Sequence, residues 1–215
     1  MMASESVEPV ADWCERYRPQ TESELEGNDA ARKRIRSWLR SWTRGTPDHR
    51  GLLLTGPPGV GKTSIVGAIA NDLGWDVIEL NASDARNAAA IRRVATAGAT
   101  HFTFGMDGSF SRDAGQRTII LLDEVDHLQG TFRATSEKRI GSTLAASRGD
   151  DDAKNVLTGD TGGKAELMRL LKIAEQPVIM TCNDEMRLWG SGQYWRSARD
   201  RFNAVAGVIQ FRRAT

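Results

Sequence analysis

Apolar residues fall in five short runs, at 52–55, 76–80, 118–122, 177–182 and 208–211, with polar and helical stretches between them. Runs of this length, rich in aliphatic and β-branched residues, read as strands of a buried sheet. After the first run the period changes: Ile65, Val66, Ile69 and Leu73 recur at helical spacing until Gly74 stops the helix. Upstream, Asn28 stands where a helix N-cap belongs, ahead of a stripe of Ile35, Trp38, Leu39 and Trp42. The opposite face of that helix carries Lys33, Arg36 and Arg40. A solvated face is the ordinary reading of such charge, and a nucleic-acid contact is the alternative. Strands alternating with helices predict an α/β fold, a parallel sheet with helices on both faces. Residues 1–12 are expected as a frayed tail and 13–215 as one core domain. The stretch 129–160, rich in Gly, Ser, Thr and charge and carrying Asp150-Asp151-Asp152, is expected as a surface insertion.

Composition narrows this picture mainly by exclusion. The 215 residues suffice for one substantial core. A net charge of +1 carries no global signature of a nucleic-acid binder, so any basic surface is local. The two cysteines, Cys14 and Cys182, lie far apart in sequence, which favours a reducing, cytoplasmic setting over a disulfide framework. The three histidines and two cysteines show no zinc spacing. Neither a signal peptide nor a membrane span is expected from an acidic start without a long apolar run.

The chemistry begins at the end of the first strand. Gly56-Pro57-Pro58-Gly59-Val60-Gly61-Lys62-Thr63 fits the phosphate-binding pattern G-x-x-x-x-G-K-[ST], with Ser64 next in the helix. Glycines let backbone N–H groups turn toward an anion where a Cβ would obstruct it. Lys62 supplies positive charge for the terminal phosphates, and the Thr63 hydroxyl is placed for Mg²⁺. Strand before and helix after set the phosphates at a helix N-terminus. The run Ile119-Ile120-Leu121-Leu122-Asp123-Glu124 ends a strand in two carboxylates at the same sheet edge. Asp123 is expected to hold Mg²⁺ and Glu124 to act as general base toward water. Asn183 follows the 177–182 strand and emerges at that edge too, placed to contact the terminal phosphate or the attacking water. A turn asparagine is the plainer reading.

These elements, with further boxes, resemble the clamp-loader branch of the AAA+ ATPases, and within it the replication factor C large subunits. Trp13-Cys14-Glu15-Arg16-Tyr17-Arg18-Pro19 is similar to a box that frames adenine in that family, which assigns Tyr17, Arg18 and Pro19 to the nucleotide. Asn81-Ala82-Ser83-Asp84, Asp123-Glu124-Val125-Asp126, Asn183 at the sensor 1 position, and Ile209-Gln210-Phe211-Arg212-Arg213 resemble further boxes of the same family. The resemblance implies a five-stranded AAA+ core that binds ATP and Mg²⁺. It also implies assembly with replication factor C small subunits into a hetero-pentamer that loads a sliding clamp onto primer–template DNA. The Trp13 box so near the start resembles the archaeal form. The helical lid and collar of the family lie beyond the last strand and are absent from this sequence, as expected of a fragment or a split gene. Gly159-Asp160-Thr161-Gly162-Gly163 has Thr161 where large subunits often carry an arginine.

The resemblance further implies phosphate contacts to DNA from Arg86, Arg92, Arg93 and Lys164, with ordinary surface residues as the alternative. It implies that Phe102 and Phe104, in His101-Phe102-Thr103-Phe104, wedge into the clamp, with burial in the domain's own core as the alternative. No Ser-Arg-Cys triplet stands before the last strand, where Arg199 and Arg201 lie outside that pattern. The chain is therefore expected to receive an arginine finger and not to donate one, and to turn over weakly alone. Two other readings stay open: another AAA+ DNA motor, helicase-like or origin-binding, and a non-hydrolysing AAA+ scaffold.

Overall fold

Five strands form one parallel sheet in the order β2-β5-β6-β1-β7. They are β1 (Gly51–Thr55), β2 (Asp76–Asn81), β5 (Thr118–Asp123), β6 (Val178–Cys182) and β7 (Ala206–Gln210). β3 (Thr103–Phe104) and β4 (Phe110–Ser111) make a separate antiparallel pair. The helices are α1 (Asp29–Ser41), α2 (Lys62–Leu73), α3 (Gly163–Ile173), α4 (Glu185–Trp189) and α5 (Trp195–Asn203). This computed structural model describes residues 17–82, 103–104, 110–111, 117–132, 162–190 and 194–213. No helix among them is long and apolar enough to cross a membrane.

The expected architecture is present, and alternation along the strands explains its two cores. Leu53, Ile120, Leu122, Val178 and Met180 face Leu167, Leu170 and Leu171 of α3. Leu52, Leu54, Ile119, Leu121 and Ile179 face Ile35, Leu39 and Trp42 of α1 and Ile65, Val66 and Ile69 of α2. The central strands β1, β5 and β6 are buried on both faces, which is why their sequences read as continuous apolar runs.

Four local expectations are corrected. The last strand is Ala206–Gln210 and not 208–211, because Ala206 and Gly207 pair with Gly51 and Leu52 of β1 where a larger residue has no room. A Cβ on Gly207 would come within 3.2 Å of Leu52. Asn28 makes no side-chain cap to α1 and adopts φ 50°. Its amide instead pairs with the backbone of Arg212, donating to the carbonyl at 3.1 Å and accepting from the N–H at 3.0 Å, so it ties the start of α1 to the exit of β7. Arg36 of the charged face is not simply solvated, since its guanidinium pairs with Asp72 and Glu22. The start of the expected surface insertion belongs to the core. Phe132 is buried against Trp189 and Phe202, with ring centroids 5.5 and 5.9 Å away. The remainder, 133–160, lies outside the described residues.

Candidate active site

Strand order decides which loops meet. β6 lies between β5 and β1, so the residue leaving β6 stands between the carboxylates leaving β5 and the loop leaving β1. Crevices at the carboxyl ends of such a sheet are where α/β proteins place ligands. The loop leaving β1 is pinned on both sides. The Gly56 N–H bonds the Cys182 carbonyl at 3.2 Å. A Cβ on Gly56 would lie 2.6 Å from the Phe211 carbonyl oxygen, so the chain leaving β7 excludes any side chain there. Gly61, at φ 82°, turns the chain into α2 and accepts its first helical bond from Ile65 N–H.

Lys62 is buried, and its ammonium donates to the Gly56 carbonyl at 2.8 Å, the Pro57 carbonyl at 2.9 Å and Asn183 Oδ1 at 2.7 Å. Burial lowers its proton affinity, an effect opposed by the acidic groups of Asp123, Asp126 and Glu124. Asn183 uses its other end as well, since Nδ2 donates to Glu124 Oε1 at 3.1 Å. One amide thus links the lysine of the phosphate loop to the carboxylate expected to act as base. Its own backbone N–H is held by Asp126 Oδ1 at 3.1 Å.

The Thr63 hydroxyl donates to Asp123 Oδ1 at 2.9 Å. A hydroxyl and a carboxylate side by side are the hard oxygen donors Mg²⁺ takes, together with phosphate and water oxygens. No group of three or more His, Cys, Asp or Glu able to hold a metal occurs among the described residues. Thr181 is a site residue the sequence reading missed. Its hydroxyl donates to Asp123 Oδ1 and accepts from the Glu124 N–H at 3.0 Å. The available signal was a lone hydroxyl inside the otherwise apolar strand VIMTC. Asp126, almost fully buried, was likewise given no role.

Glu124 occupies the left-handed region at φ 56° and ψ 48°, unusual for a residue with a Cβ. Such a conformation costs on the order of 1–2 kcal/mol and persists where bonds hold it. Here the N–H is held by Thr181, the carbonyl accepts from His127 N–H at 3.0 Å, and the carboxylate is held by Asn183. The turn carries Glu124 off the strand direction that Asp123 continues. Burial pushes the Cys182 thiol far up, so this neighbour of Asn183 stays protonated and is no nucleophile.

The other expected site residues are distributed differently. Tyr17 is exposed, Arg18 pairs with Glu79 of β2 at 3.1 Å, and Gln20, one residue after Pro19, accepts from Asn71 near the end of α2. Lys164, expected at DNA, is buried. Its ammonium donates to the Leu188 carbonyl at 2.6 Å and the Arg187 carbonyl at 3.2 Å and lies 5.6 Å from the centre of the Phe132 ring. A charge engaged with two carbonyls inside the domain is unavailable to a phosphate backbone, and that expectation is corrected. Arg86, Arg92, Arg93, Phe102 and the Trp13 end of the adenine box lie outside the described residues, as does the side chain of Phe104 in β3.

Comparison with known proteins follows the same lines. The profile of the ATPase family associated with various cellular activities (AAA) matches residues 52–192, from the phosphate-loop strand past Asn183. The replication factor C large subunit of Halorubrum lacusprofundi is 36% identical over 207 residues, covering 94% of this chain and 33% of that protein. That of Halobacterium salinarum is 38% identical over 176 residues, covering 81% of this chain and 30% of that protein. The chain spans about a third of the length of these curated relatives. A solved chain from work on the structural basis for katanin self-assembly is similar in fold, with a TM-score of 0.50 at 16% identity over 89% of this chain and 53% of that one.

Proposed function

This chain belongs to the AAA family of ATPases, and from that premise we propose that it binds and hydrolyses ATP as the nucleotide core of a clamp-loader large subunit of the archaeal replication factor C type. The observation that carries the hydrolytic reading is the amide of Asn183, bonded to Lys62 on one side and Glu124 on the other. A scaffold that only held nucleotide would have no use for a carboxylate aimed at that point.

The backbone N–H groups of 56–63 receive the phosphates. Charged phosphate oxygens outcompete the neutral carbonyls of Gly56 and Pro57 for the Lys62 ammonium. Releasing Lys62 frees Asn183 Oδ1, so nucleotide binding is felt directly at the amide that holds Glu124. Thr63 and Asp123 hold Mg²⁺, which offsets phosphate charge when bound. Glu124 takes the proton of the attacking water, and Asn183 orients that water or the terminal phosphate. Tyr17, Arg18 and Pro19 frame the adenine. The work done with this ATP is the loading of a sliding clamp onto primer–template DNA together with small subunits, one of which supplies an arginine finger. The relatives' names support this reading. Basic residues following β2, Arg86 and Arg92, contact DNA phosphates, and Phe102 and Phe104 dock the clamp.

The test is steady-state ATP hydrolysis by this chain, alone and with replication factor C small subunits, clamp and primed DNA. Stimulation by all three is expected. Nucleotide binding without turnover under every condition would return the reading to a scaffold.

A further inference from the structure

We propose that Lys164 is a positioning residue for Asn183: its ammonium closes the C-terminal end of α4, the short helix that follows Asn183, and so fixes where the Asn183 amide stands. The inference rests on the reading of this site as hydrolytic.

Five residues are too few for a helix to hold itself together in water. α4 survives because both ends are closed by charge of the favourable sign. At its start Asp184 accepts from the N–H groups of Met186 and Arg187, at 2.9 and 3.2 Å. At its end Lys164 donates to the carbonyls of Leu188 and Arg187, which otherwise have no partner within the helix. Asp184 is the residue next to Asn183, so a shift of α4 passes to Asn183 through a single peptide.

The other attachments of Lys164 point the same way. Its backbone N–H donates to the Gln129 carbonyl at 3.1 Å, and a Cβ on Gly163 would meet Leu128 at 3.1 Å. Residues 128–132 are the exit of the turn that carries Glu124 and Asp126. The side chain of Lys164 lies against Phe132 in that exit and reaches across to α4. Lys164 therefore joins, at one point, the segment bearing the base and the segment bearing the amide that holds it. Burial of the ammonium works against its charge, a cost that an apolar residue would avoid. Removing the charge frees two carbonyls and loosens the end of α4. Misplacement of a catalytic constellation by about an ångström costs up to ~10²-fold in rate.

The test compares Lys164→Met, which keeps the stem and loses the ammonium, with Lys164→Arg, which keeps a cation. Three readouts are taken on the 215-residue chain: the NMR resonance of the Asn183 side-chain amide, ATP affinity, and turnover. Lys164→Met is expected to move the Asn183 resonance, leave ATP affinity within about twofold, and cut turnover about tenfold. Lys164→Arg is expected to restore part of that loss. In an Asn183→Ala background, Lys164→Met should change turnover by less than about twofold, since the two act through one another. An unmoved Asn183 resonance, or an equal loss of turnover with and without Asn183, overturns the proposal. Should the methionine variant fail to fold, Lys164→Gln takes its place: a moved Asn183 resonance upholds the proposal and an unmoved one overturns it. A moved resonance with no turnover, by the chain alone or with small subunits, clamp and primed DNA, would uphold the positioning role and overturn the hydrolytic reading instead.

Discussion

Two lysines are buried in this domain to nearly the same degree, Lys62 at 6% exposure and Lys164 at 8%, and burial lowers the proton affinity of both. Each donates to two backbone carbonyls. Their surroundings differ in what can replace those carbonyls. Lys62 opens α2 at the carboxyl edge of the sheet, and its third partner is a side-chain amide that can let go. Lys164 sits against Phe132 and the end of a helix, and its partners among the described residues are fixed backbone carbonyls. On the function proposed above, the same functional group is a ligand-binding cation in one place and a structural pin in the other. Neither burial nor pKa tells them apart. The exchangeability of their partners does.

The contrast breaks most sharply at Lys62. Lys62→Ala removes the loop's only side-chain cation, and ATP affinity is expected to fall by ~10²-fold or more, since charge-assisted bonds to several phosphate oxygens are lost together. Calorimetry measures this. Lys164→Met should leave the same titration almost unchanged. If both variants lose ATP equally, the distinction between them is wrong.

Next in size is Glu124→Gln. The glutamine still accepts from Asn183 but cannot take a proton from water, so turnover is expected to fall ~10²–10⁴-fold with ATP affinity kept. Single-turnover hydrolysis on the assembled protein gives the figure, and a variant as fast as wild type would remove Glu124 from the role of base.

Thr181→Val tests the hydroxyl between Asp123 and Glu124. The valine is the same shape but leaves the half-buried Glu124 N–H without its acceptor, a loss of about 1 kcal/mol. Asp123 loses one of two hydroxyl donors, and removing such an outer partner typically weakens metal binding ~10–100-fold. Thermal unfolding and a Mg²⁺ titration of ATP binding separate the two effects. An unchanged Mg²⁺ dependence would show that Thr181 serves only the backbone turn.

These particular residues also mark what the sequence disclosed. The phosphate loop was legible because its pattern is local: eight consecutive positions set the turn, the cation and the hydroxyl, although Cys182, Asn183 and Asp123 then hold them from a distance. Asp123, Glu124 and Asn183 were legible because apolar strands of a parallel sheet all deliver their next residue to one edge. Thr181 and Asp126 were not, because their partners lie 57 or 58 residues away across β5 and β6 and depend on strand order. Asn28 satisfied the local rule for a cap, yet a partner 184 residues away took its amide. Lys164 was expected at DNA because the family resemblance places basic residues there, and its neighbours in sequence carry no sign of burial. Only the packing of Phe132 and α4 around it reveals the pin.

The smallest effect expected is on stability at alkaline pH. Both lysines hold their protons less tightly folded than unfolded, where the ordinary value is 10.5. The unfolded chain therefore binds more protons through the window between the lowered folded values and 10.5, and these two groups add stability as pH rises through it. Below the folded values the burial penalty is present in full, and above 10.5 it is gone. Replacing either lysine with methionine removes its share, so the melting temperature of each variant should gain less, or lose more, than wild type between neutral pH and pH 10. Bound ATP then separates them. Phosphate oxygens hold the proton on Lys62, so with saturating ATP the wild-type chain should lose the Lys62 share of this alkaline gain. Lys164 is out of reach of the phosphates, and the difference between wild type and Lys164→Met should be the same with ATP as without it. Melting curves of the wild type and Lys164→Met across this range, with and without ATP and Mg²⁺, measure both shares, with Lys62→Met followed in the nucleotide-free series. A Lys164 share that vanishes with ATP would mean that the second ammonium also feels the nucleotide, and the division of the two lysines into ligand cation and structural pin would fail.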